Sequence, residues 1–175
     1  MTPDIKKILY ATDLSSNSAY ALRYALDCAR LYKAEVVILH AFETVHSGFT
    51  PVLNTYIDDN GLRMLYDERV ADAKGAIEKR LKAVYDAELD ENPGYKDIVT
   101  SIEVCEGFPA ERILAMAEQL DCHMIIMGTH GKGIIVNTFL GSTAKRVLRR
   151  TRKPIYIIPL PKDKIDVTIR DKAGA

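Results

Sequence analysis

Glycine and hydroxyl-bearing residues cluster in one stretch of the chain, between an apolar run and a predicted helix. Gly128, Gly131 and Gly133 follow the apolar run, and Gly141-Ser142-Thr143 opens the helix. Glycine lets backbone N–H groups approach an anion closely, and a helix N-terminus offers unpaired N–H donors and the positive end of its dipole. The two hydroxyls add donors, and Lys132 adds a mobile positive charge. Residues 128–142 are therefore candidates to hold the phosphates of a nucleotide.

The same composition has a simpler interpretation, in which the glycines only shape a loop between a strand and a helix. The spacing differs from a Walker A motif, because no Gly-Lys-Ser or Gly-Lys-Thr opens the helix. It also differs from the GxGxxG motif of dinucleotide-binding folds, which belongs after a first strand. Composition alone leaves both interpretations open.

The bulk composition limits the classes of protein to which the chain can belong. It has 175 residues, 47% apolar and 27% charged, as expected of a globular protein with one core. Lys plus Arg and Asp plus Glu number 24 each, so no net charge attracts nucleic acid or a membrane surface. The three cysteines are well separated, which favours free thiols over disulfides or a zinc site. With no apolar signal segment and no apolar run of about 18 residues, we expect a soluble, cytoplasmic protein.

Short apolar runs alternate with helical patterns along the whole chain. Runs at residues 5–11, 35–41, 98–104, 122–127 and 155–158 predict five strands. The segments between them carry apolar residues at the 3.6-residue period of helices. This order predicts a single three-layer α/β domain over residues 1–160, a five-stranded parallel sheet with helices on both faces, and a tail at 161–175. In such sheets ligands bind at the carboxyl ends of the strands.

Residues 42–60 show no clear periodicity, and this segment is long for a connection in a compact domain. They leave the carboxyl end of the second predicted strand and carry apolar side chains, Phe49, Leu53 and Tyr56 among them. We expect a lid that covers the nucleotide or a partner subunit and becomes more ordered with ATP. A short helix packed permanently on the domain is the alternative.

The spacing Gly128-x2-Gly131-x9-Gly141-Ser142 resembles the nucleotide signature of the universal stress protein family, in its ATP-binding branch. The likeness covers nearly the whole chain. Residues 8–15 are similar to the family's first strand and acidic turn, 37–41 to its second strand, 107–113 to the start of its third helix and 153–159 to its closing strand. Phe108 departs from the pattern, because the family commonly has a small polar residue there to cap the helix.

The resemblance implies an adenine nucleotide alpha hydrolase-like fold with strand order 3-2-1-4-5. Asp13 would accept hydrogen bonds from the ribose hydroxyls, and Ala41 would offer backbone groups to the adenine edge. A homodimer through the fifth strand is also implied, with Ile155 and Ile157 in the shared core. The implied nucleotide-binding residues are Ala11, Thr12, Asp13, Ala41, Met127, Gly128, Thr129, His130, Gly131, Lys132, Gly133, Gly141, Ser142 and Thr143.

Several of these polar residues also have a purely structural interpretation. Asp13 is placed to form an Asx-turn or to cap the helix that follows Ser15. His40 is more simply a strand residue packed against a helix than a ligand, and His130 is more simply a phosphate donor than a catalytic base. The basic residues of 145–153 are more simply an exposed last helical turn, favoured by the helix dipole, than an anion site.

Three hypotheses about function arise from the sequence and the resemblance. The first is a nucleotide-dependent regulatory or stress-response module that binds ATP, with or without Mg²⁺, or else ADP or AMP, and acts on an unknown downstream protein. The second is a slow ATP hydrolase or an adenylyl- or phosphoryl-transfer enzyme. Neither the HxGH nor the SGGxDS motif of adenylylating relatives of this fold occurs after the first strand, so we predict no catalytic residue, no metal ligand and at most weak ATPase activity. The third, a structural protein that binds nothing, is disfavoured by the intact glycine pattern.

Overall fold

The computed structural model describes residues 4–43, 59–88, 97–129 and 140–159 of the chain. Strands and helices alternate through these ranges. In chain order they are β1 (Lys7–Thr12), α1 (Ser16–Tyr32), β2 (Glu35–Phe42), α2 (Asp59–Glu88), β3 (Val99–Glu106), α3 (Pro109–Gln119), β4 (Met124–Gly128), α4 (Ser142–Arg150) and β5 (Ile155–Ile158).

All five strands run parallel in one sheet, in the order β3-β2-β1-β4-β5. This confirms the predicted fold class and strand order. Tyr10 of β1 pairs with Ile38 of β2 on one side and with Ile126 of β4 on the other. The chain winds outward from β1 through β2 and β3, and then resumes at β4 on the other side of β1. The winding therefore reverses between β1 and β4, which is where open α/β sheets bind ligands.

Helices cover both faces of the sheet, and the side chains of alternate residues of β1 pack into two separate cores. Ile8 and Tyr10 join a cluster with buried residues of α1 and α2, whereas Leu9 and Ala11 join one with residues of α3 and α4. Ile8 and Leu9 are both fully buried. A strand that is covered on both faces must be apolar at nearly every position. This is why the apolar runs in the sequence predicted the strands.

Some strand ends differ from the prediction by one or two residues. β1 begins at Lys7 rather than at residue 5, and β4 begins at Met124 rather than at residue 122. Cys122 is apolar and buried, but its N–H donates to the carbonyl of Ala117 at 2.9 Å, so it closes α3 instead of joining the sheet. β3 extends two residues further than predicted, to Glu106, because its pairing with β2 continues to the end of both strands.

The segment without periodicity is shorter than predicted, since Phe42 belongs to β2 and Asp59 begins α2. Residues 44–58, on which most of the lid prediction falls, lie outside the described residues, as does the tail at 161–175. The start of α3 is as expected. Pro109 occupies its first turn, and Phe108 stands at the N-cap without a side-chain hydrogen bond. None of the described helices combines the length and the apolar character that a bilayer span requires.

Gly75 and Gly107 should respond in opposite directions to alanine. Gly75 lies inside α2, and a Cβ built on it meets nothing within 4 Å. Because alanine loses less backbone freedom on folding, Gly75→Ala should raise the free energy of unfolding by about 1 kcal/mol. Gly107 has φ +135°, and its Cβ would lie 2.6 Å from Arg112 Nε, so Gly107→Ala should lower the free energy of unfolding by about 1–3 kcal/mol. Urea denaturation measures both, and a destabilised Gly75→Ala would contradict an open helix face at this position.

Candidate functional site

The carboxyl ends of β1 and β4 lie side by side at the point where the winding reverses. Ala11 of β1 pairs with Met127 of β4, and Thr12 and Gly128 end the two strands. The side chains of Ala11 and Met127 are buried in the core shared with α3 and α4. These two predicted site residues can therefore face a ligand with their backbone, but not with their side chains.

Asp13 follows β1 and uses one of its carboxylate oxygens to shape the turn into α1. Its Oδ1 accepts from the backbone N–H of Ser15 at 3.0 Å and from the Ser15 hydroxyl at 2.5 Å. Ser15 is in turn the N-cap of α1 and accepts from the N–H of Ser18 at 3.2 Å. The structural interpretation of Asp13 is thus confirmed, but it accounts for only half of the carboxylate.

The other carboxylate oxygen of Asp13, Oδ2, is buried and has no hydrogen-bond partner among the described residues. A buried polar atom without a partner typically costs about 1–3 kcal/mol, and such atoms in a native structure call for an explanation. An ionised carboxylate can only accept hydrogen bonds. This oxygen is therefore suited to a ligand that brings a donor, such as a hydroxyl group.

Thr12 and Ser18 form a buried hydroxyl pair beneath the Asp13 turn. The Thr12 hydroxyl donates to Ser18 Oγ at 2.9 Å and accepts from the N–H of Leu14 at 3.2 Å. The Tyr10 hydroxyl, from the middle of β1, donates to the carbonyl of Ser18. Burial raises the pKa of Tyr10 to about 12, although its hydrogen bonds with Thr12 and Ser18 and the charge of Arg80 act in the opposite direction. The side chain of Thr12 is thus committed to the turn rather than available to a ligand.

Arg80, on α2, reaches the same turn from a distant part of the sequence. Its Nη2 donates to the carbonyl of Leu14 at 2.5 Å, and its Nη1 donates to Ser18 Oγ at 3.3 Å. Sequence analysis did not identify this residue. A signal was nevertheless present, because Arg80 stands three positions after Ile77 and next to Leu81, both buried on the core side of α2. A charged residue on the apolar side of a helix indicates a partner within the fold.

His40 is a buried strand residue, as predicted, but its ring is hydrogen-bonded to the neighbouring strand. Its Nδ1 donates to the carbonyl of Thr12 at 2.8 Å, across the pair that the two residues form between β2 and β1. Ala41, the next residue, is half-buried and pairs with Cys105 of β3. The ring of His40 therefore orients backbone at the end of β1, beside the position predicted to face adenine.

The N-terminus of α4 is attached to the same edge of the sheet through Thr129. The N–H of Thr129 donates to the carbonyl of Ile158 at 3.0 Å, and the N–H of Gly141 donates to the carbonyl of Thr129 at 2.8 Å. Gly141 is the N-cap of α4, and no side chain caps the helix there. Ser142 is exposed and Thr143 half-buried in the first turn. This turn presents N–H groups and two hydroxyls, which suits an anion.

The structure thus brings Ala11, Thr12, Asp13, Ala41, Met127, Gly128, Thr129, Gly141, Ser142 and Thr143 to one edge of the sheet. His130, Gly131, Lys132 and Gly133 lie outside the described residues, and their role stays a prediction. Within the described part of the chain, no three His, Cys, Asp or Glu side chains converge as metal ligands would.

The basic residues around α4 belong partly to the fold. Arg150 forms an ion pair with Glu111 of α3, and Lys153 lies 3.3 Å from Glu118 of the same helix. Both side chains of the first pair and Glu118 of the second are exposed to solvent, so each contact contributes at most about 1 kcal/mol. The two contacts agree with a structural role for Arg150 and Lys153, two of the basic residues of 145–153. The three cysteines carry free thiols, also as predicted, and burial raises the pKa of each.

Comparison with known proteins identifies one family across almost the whole chain. The sequence profile of the universal stress protein family matches residues 4–159. Universal stress protein MJ0577 of Methanocaldococcus jannaschii is 30% identical over 156 residues, covering 87% of this chain and 94% of that protein. Its solved structure superposes with a TM-score of 0.69 at 26% identity, over 90% of this chain and 97% of that one.

Two further solved structures share the fold at lower identity and contain adenine nucleotides. A universal stress protein in complex with cAMP has a TM-score of 0.53 at 21% identity, covering 89% of this chain and 97% of that chain. A universal stress protein from Archaeoglobus fulgidus in complex with dAMP has a TM-score of 0.56 at 17% identity, covering 90% and 99%. At these identities the likeness establishes the common fold.

Tyr10 should make the protein sensitive to alkali. Its pKa is about 12 in the folded state, against 10.0 for an unperturbed tyrosine. Since the folded pKa is the higher one, the stabilisation is complete below pH 10 and is lost as the pH rises through about 12. This group should then lower the free energy of unfolding by roughly 3 kcal/mol across that window.

Tyr10→Phe tests this assignment by urea denaturation at neutral pH and at several alkaline pH values. At neutral pH the variant should be less stable by about 1 kcal/mol, because the hydrogen bond to Ser18 is lost. The difference from the parent should shrink and then reverse as the pH rises, since phenylalanine has no proton to release and only the parent loses this stabilisation. Tyr32→Phe is the matched control, because Tyr32 is 49% exposed. Parallel losses of stability in the parent and Tyr10→Phe would contradict the prediction.

Proposed function

The chain belongs to the universal stress protein family, and we propose that it binds ATP at the carboxyl edge of β1 and β4 and acts as a nucleotide-dependent regulatory or stress-response module. Relatives of the same fold have been captured with cAMP and dAMP. Their ligands share the adenine, sugar and phosphate groups for which the proposed site has complementary partners.

The observation that carries the proposal is the unpartnered Oδ2 of Asp13. This oxygen is buried at the point where the winding reverses. A ribose hydroxyl would donate to it and remove the cost of a buried acceptor. Because Oδ1 is already fixed by the two Ser15 bonds, the carboxylate is held ready and loses little freedom on binding.

The phosphates are proposed to lie toward the first turn of α4. The turn has no side-chain cap, and its N-cap residue Gly141 is attached through Thr129 to the end of β4. The helix dipole favours an anion there. Gly131, Gly133 and Lys132 are proposed to complete the phosphate site, and Mg²⁺ accompanying the nucleotide is compatible with it. Adenine is proposed to meet the backbone at Ala41, with ADP and AMP as the alternative ligands.

Asp13→Asn should weaken ATP binding about tenfold, because an amide is a poorer acceptor than a carboxylate for a ribose hydroxyl. Isothermal titration calorimetry measures the change. Asp72→Asn is the matched control, since it alters the charge identically at an exposed position of α2.

Gly141→Val, which places a side chain at the proposed phosphate position, should abolish ATP binding with the fold retained. A parent that binds no adenine nucleotide, or an Asp13→Asn variant that binds as tightly as the parent, would contradict the proposed site.

Two further measurements refine the same experiment. Mass spectrometry of nucleotides released by heating the purified protein distinguishes ATP from ADP and AMP. Phosphate release during incubation with ATP and Mg²⁺ tests the alternative function, a slow hydrolase. Steady turnover that is lost in Gly141→Val would favour the enzyme over the binding module.

We also propose that the protein is a homodimer, paired through β5. This strand lies at the edge of the sheet and pairs with β4 on its inner side. An edge strand presents backbone N–H and C=O groups that a second copy can pair with. Ile155 and Ile157 are half-buried against the core next to α3 and α4, while Tyr156 is 46% exposed on the opposite side. The strand therefore offers apolar surface beside its open edge.

Sedimentation equilibrium should give twice the chain mass for the parent. Ile157→Lys should shift the protein toward monomer, but it also disturbs the protein's own core. Tyr156→Lys provides the cleaner variant, because the exposed ring contributes less to the fold of a single chain. Melting temperatures measured alongside separate a lost interface from a lost fold. A parent that remains monomeric at high micromolar concentration would refute the dimer.

A further inference from the structure

The turn that carries Asp13 contains a residue in an unfavourable backbone conformation. Leu14 has φ 62°, in the left-handed region. A residue with a Cβ pays roughly 1–2 kcal/mol there, and such residues persist where their surroundings hold them. Leu14 lies directly between Asp13 and Ser15, the two residues whose hydrogen bonds orient the carboxylate. Whatever holds Leu14 in this conformation therefore also sets the direction of Asp13.

Two side chains hold the backbone of Leu14: the Thr12 hydroxyl accepts from the Leu14 N–H at 3.2 Å, and Arg80 binds the Leu14 carbonyl. Arg80 Nη2 donates to that carbonyl at 2.5 Å, and Nη1 donates to Ser18 Oγ at 3.3 Å, in the first turn of α1. The two ends of the planar guanidinium thus join the turn to the helix after it. Hydrogen bonds from a charged donor are about twice as strong as neutral ones, and the rigid fork fixes direction as well as distance.

The hydroxyl of Ser18 shows how firmly the turn depends on this contact. It donates to the carbonyl of Ser15 at 2.8 Å and accepts from both Thr12 and Arg80. Among the buried side-chain atoms of the described residues, Oδ2 of Asp13 is left without a hydrogen-bond partner. Arg80 belongs to α2, 66 residues further along the chain, so the turn is held by tertiary contact and not only by its local sequence.

We propose that Arg80 is a positioning residue for ribose recognition: by holding the Leu14 carbonyl it keeps Oδ2 of Asp13 directed at the sugar hydroxyls. The inference rests on the proposed nucleotide site. Without the guanidinium, Leu14 relaxes toward ordinary backbone angles, and the carboxylate must be reoriented each time a nucleotide binds. The affinity lost is that of the contacts with the ribose hydroxyls. The proposed phosphate contacts are unaffected, because the first turn of α4 belongs to another part of the sheet edge.

The experiment compares ATP with 2′,3′-dideoxy-ATP, which keeps adenine and the phosphates but lacks both ribose hydroxyls. In calorimetry, Arg80→Gln should weaken ATP binding about tenfold, the effect of one charge-assisted contact. The affinity for dideoxy-ATP should change less than about twofold. Lys82→Gln removes the same charge from an exposed position two residues away on α2 and should leave both affinities unchanged. In an Asp13→Asn background, Arg80→Gln should add little further loss of ATP affinity.

The outcomes separate this inference from the proposed function. A parent that binds neither nucleotide refutes both. A parent that binds ATP, with Arg80→Gln weakening ATP and dideoxy-ATP equally or not at all, refutes the positioning role and leaves the site intact. Where Arg80→Gln fails to fold, Arg80→Lys tests the positioning role instead. Its single ammonium group can reach the Leu14 carbonyl but cannot bind that carbonyl and Ser18 Oγ together. It should then weaken ATP about threefold and spare dideoxy-ATP; unchanged affinity for both would make Arg80 a purely structural residue.

Discussion

β1 is hydrogen-bonded along both edges and covered on both faces, and this enclosure limits where polar side chains can lie at the carboxyl edge of the sheet. Ile8 and Leu9 are fully buried, and Tyr10 comes next with a hydroxyl that reaches the first turn of α1. A strand in this position has no exposed surface on which polar chemistry can be placed. Polar side chains can appear in number only after Thr12, where the ladder with β2 and β4 ends. The site is consequently built from the turn after β1 and not from the strand itself.

The turn after β1 buries several polar groups and pairs most of them by hydrogen bonds, which lowers the free-energy cost of burying them. Buried polar groups destabilise a fold unless they are hydrogen-bonded. Thr12, Ser15, Ser18, Tyr10 and Arg80 satisfy one another in a continuous set of hydrogen bonds. His40 adds the backbone carbonyl of Thr12 to this set. One acceptor of Asp13 remains without a partner among the described residues, and it is the atom proposed to contact the ribose.

Much of the fold could be predicted, because burial on both faces leaves a strong signal in the sequence. The apolar runs identified all five strands, and Pro109 and Ser142 marked the starts of two helices at the residues where they begin. Strand ends were less accurate, since hydrophobicity does not distinguish Cys122, which closes a helix, from a residue in the ladder. Periodicity also could not supply the strand order, because every parallel arrangement of five buried strands has the same pattern. The order came from the family resemblance and is confirmed by the pairing.

The sequence by itself indicated, from residue type and local spacing, that Gly141, Ser142 and Thr143 at the start of α4 suit a phosphate. The ribose contact of Asp13 was predicted from the family resemblance, because residue type alone favoured a turn or capping role. Only the tertiary structure decided that Asp13 uses one oxygen in a turn while the other is buried without a partner among the described residues, and that Arg80 and His40 support that turn. These contacts join residues 66 and 28 positions apart. Nothing local records such a pairing, because it exists only after the sheet has brought the ends of its strands to one edge and α2 has packed across them.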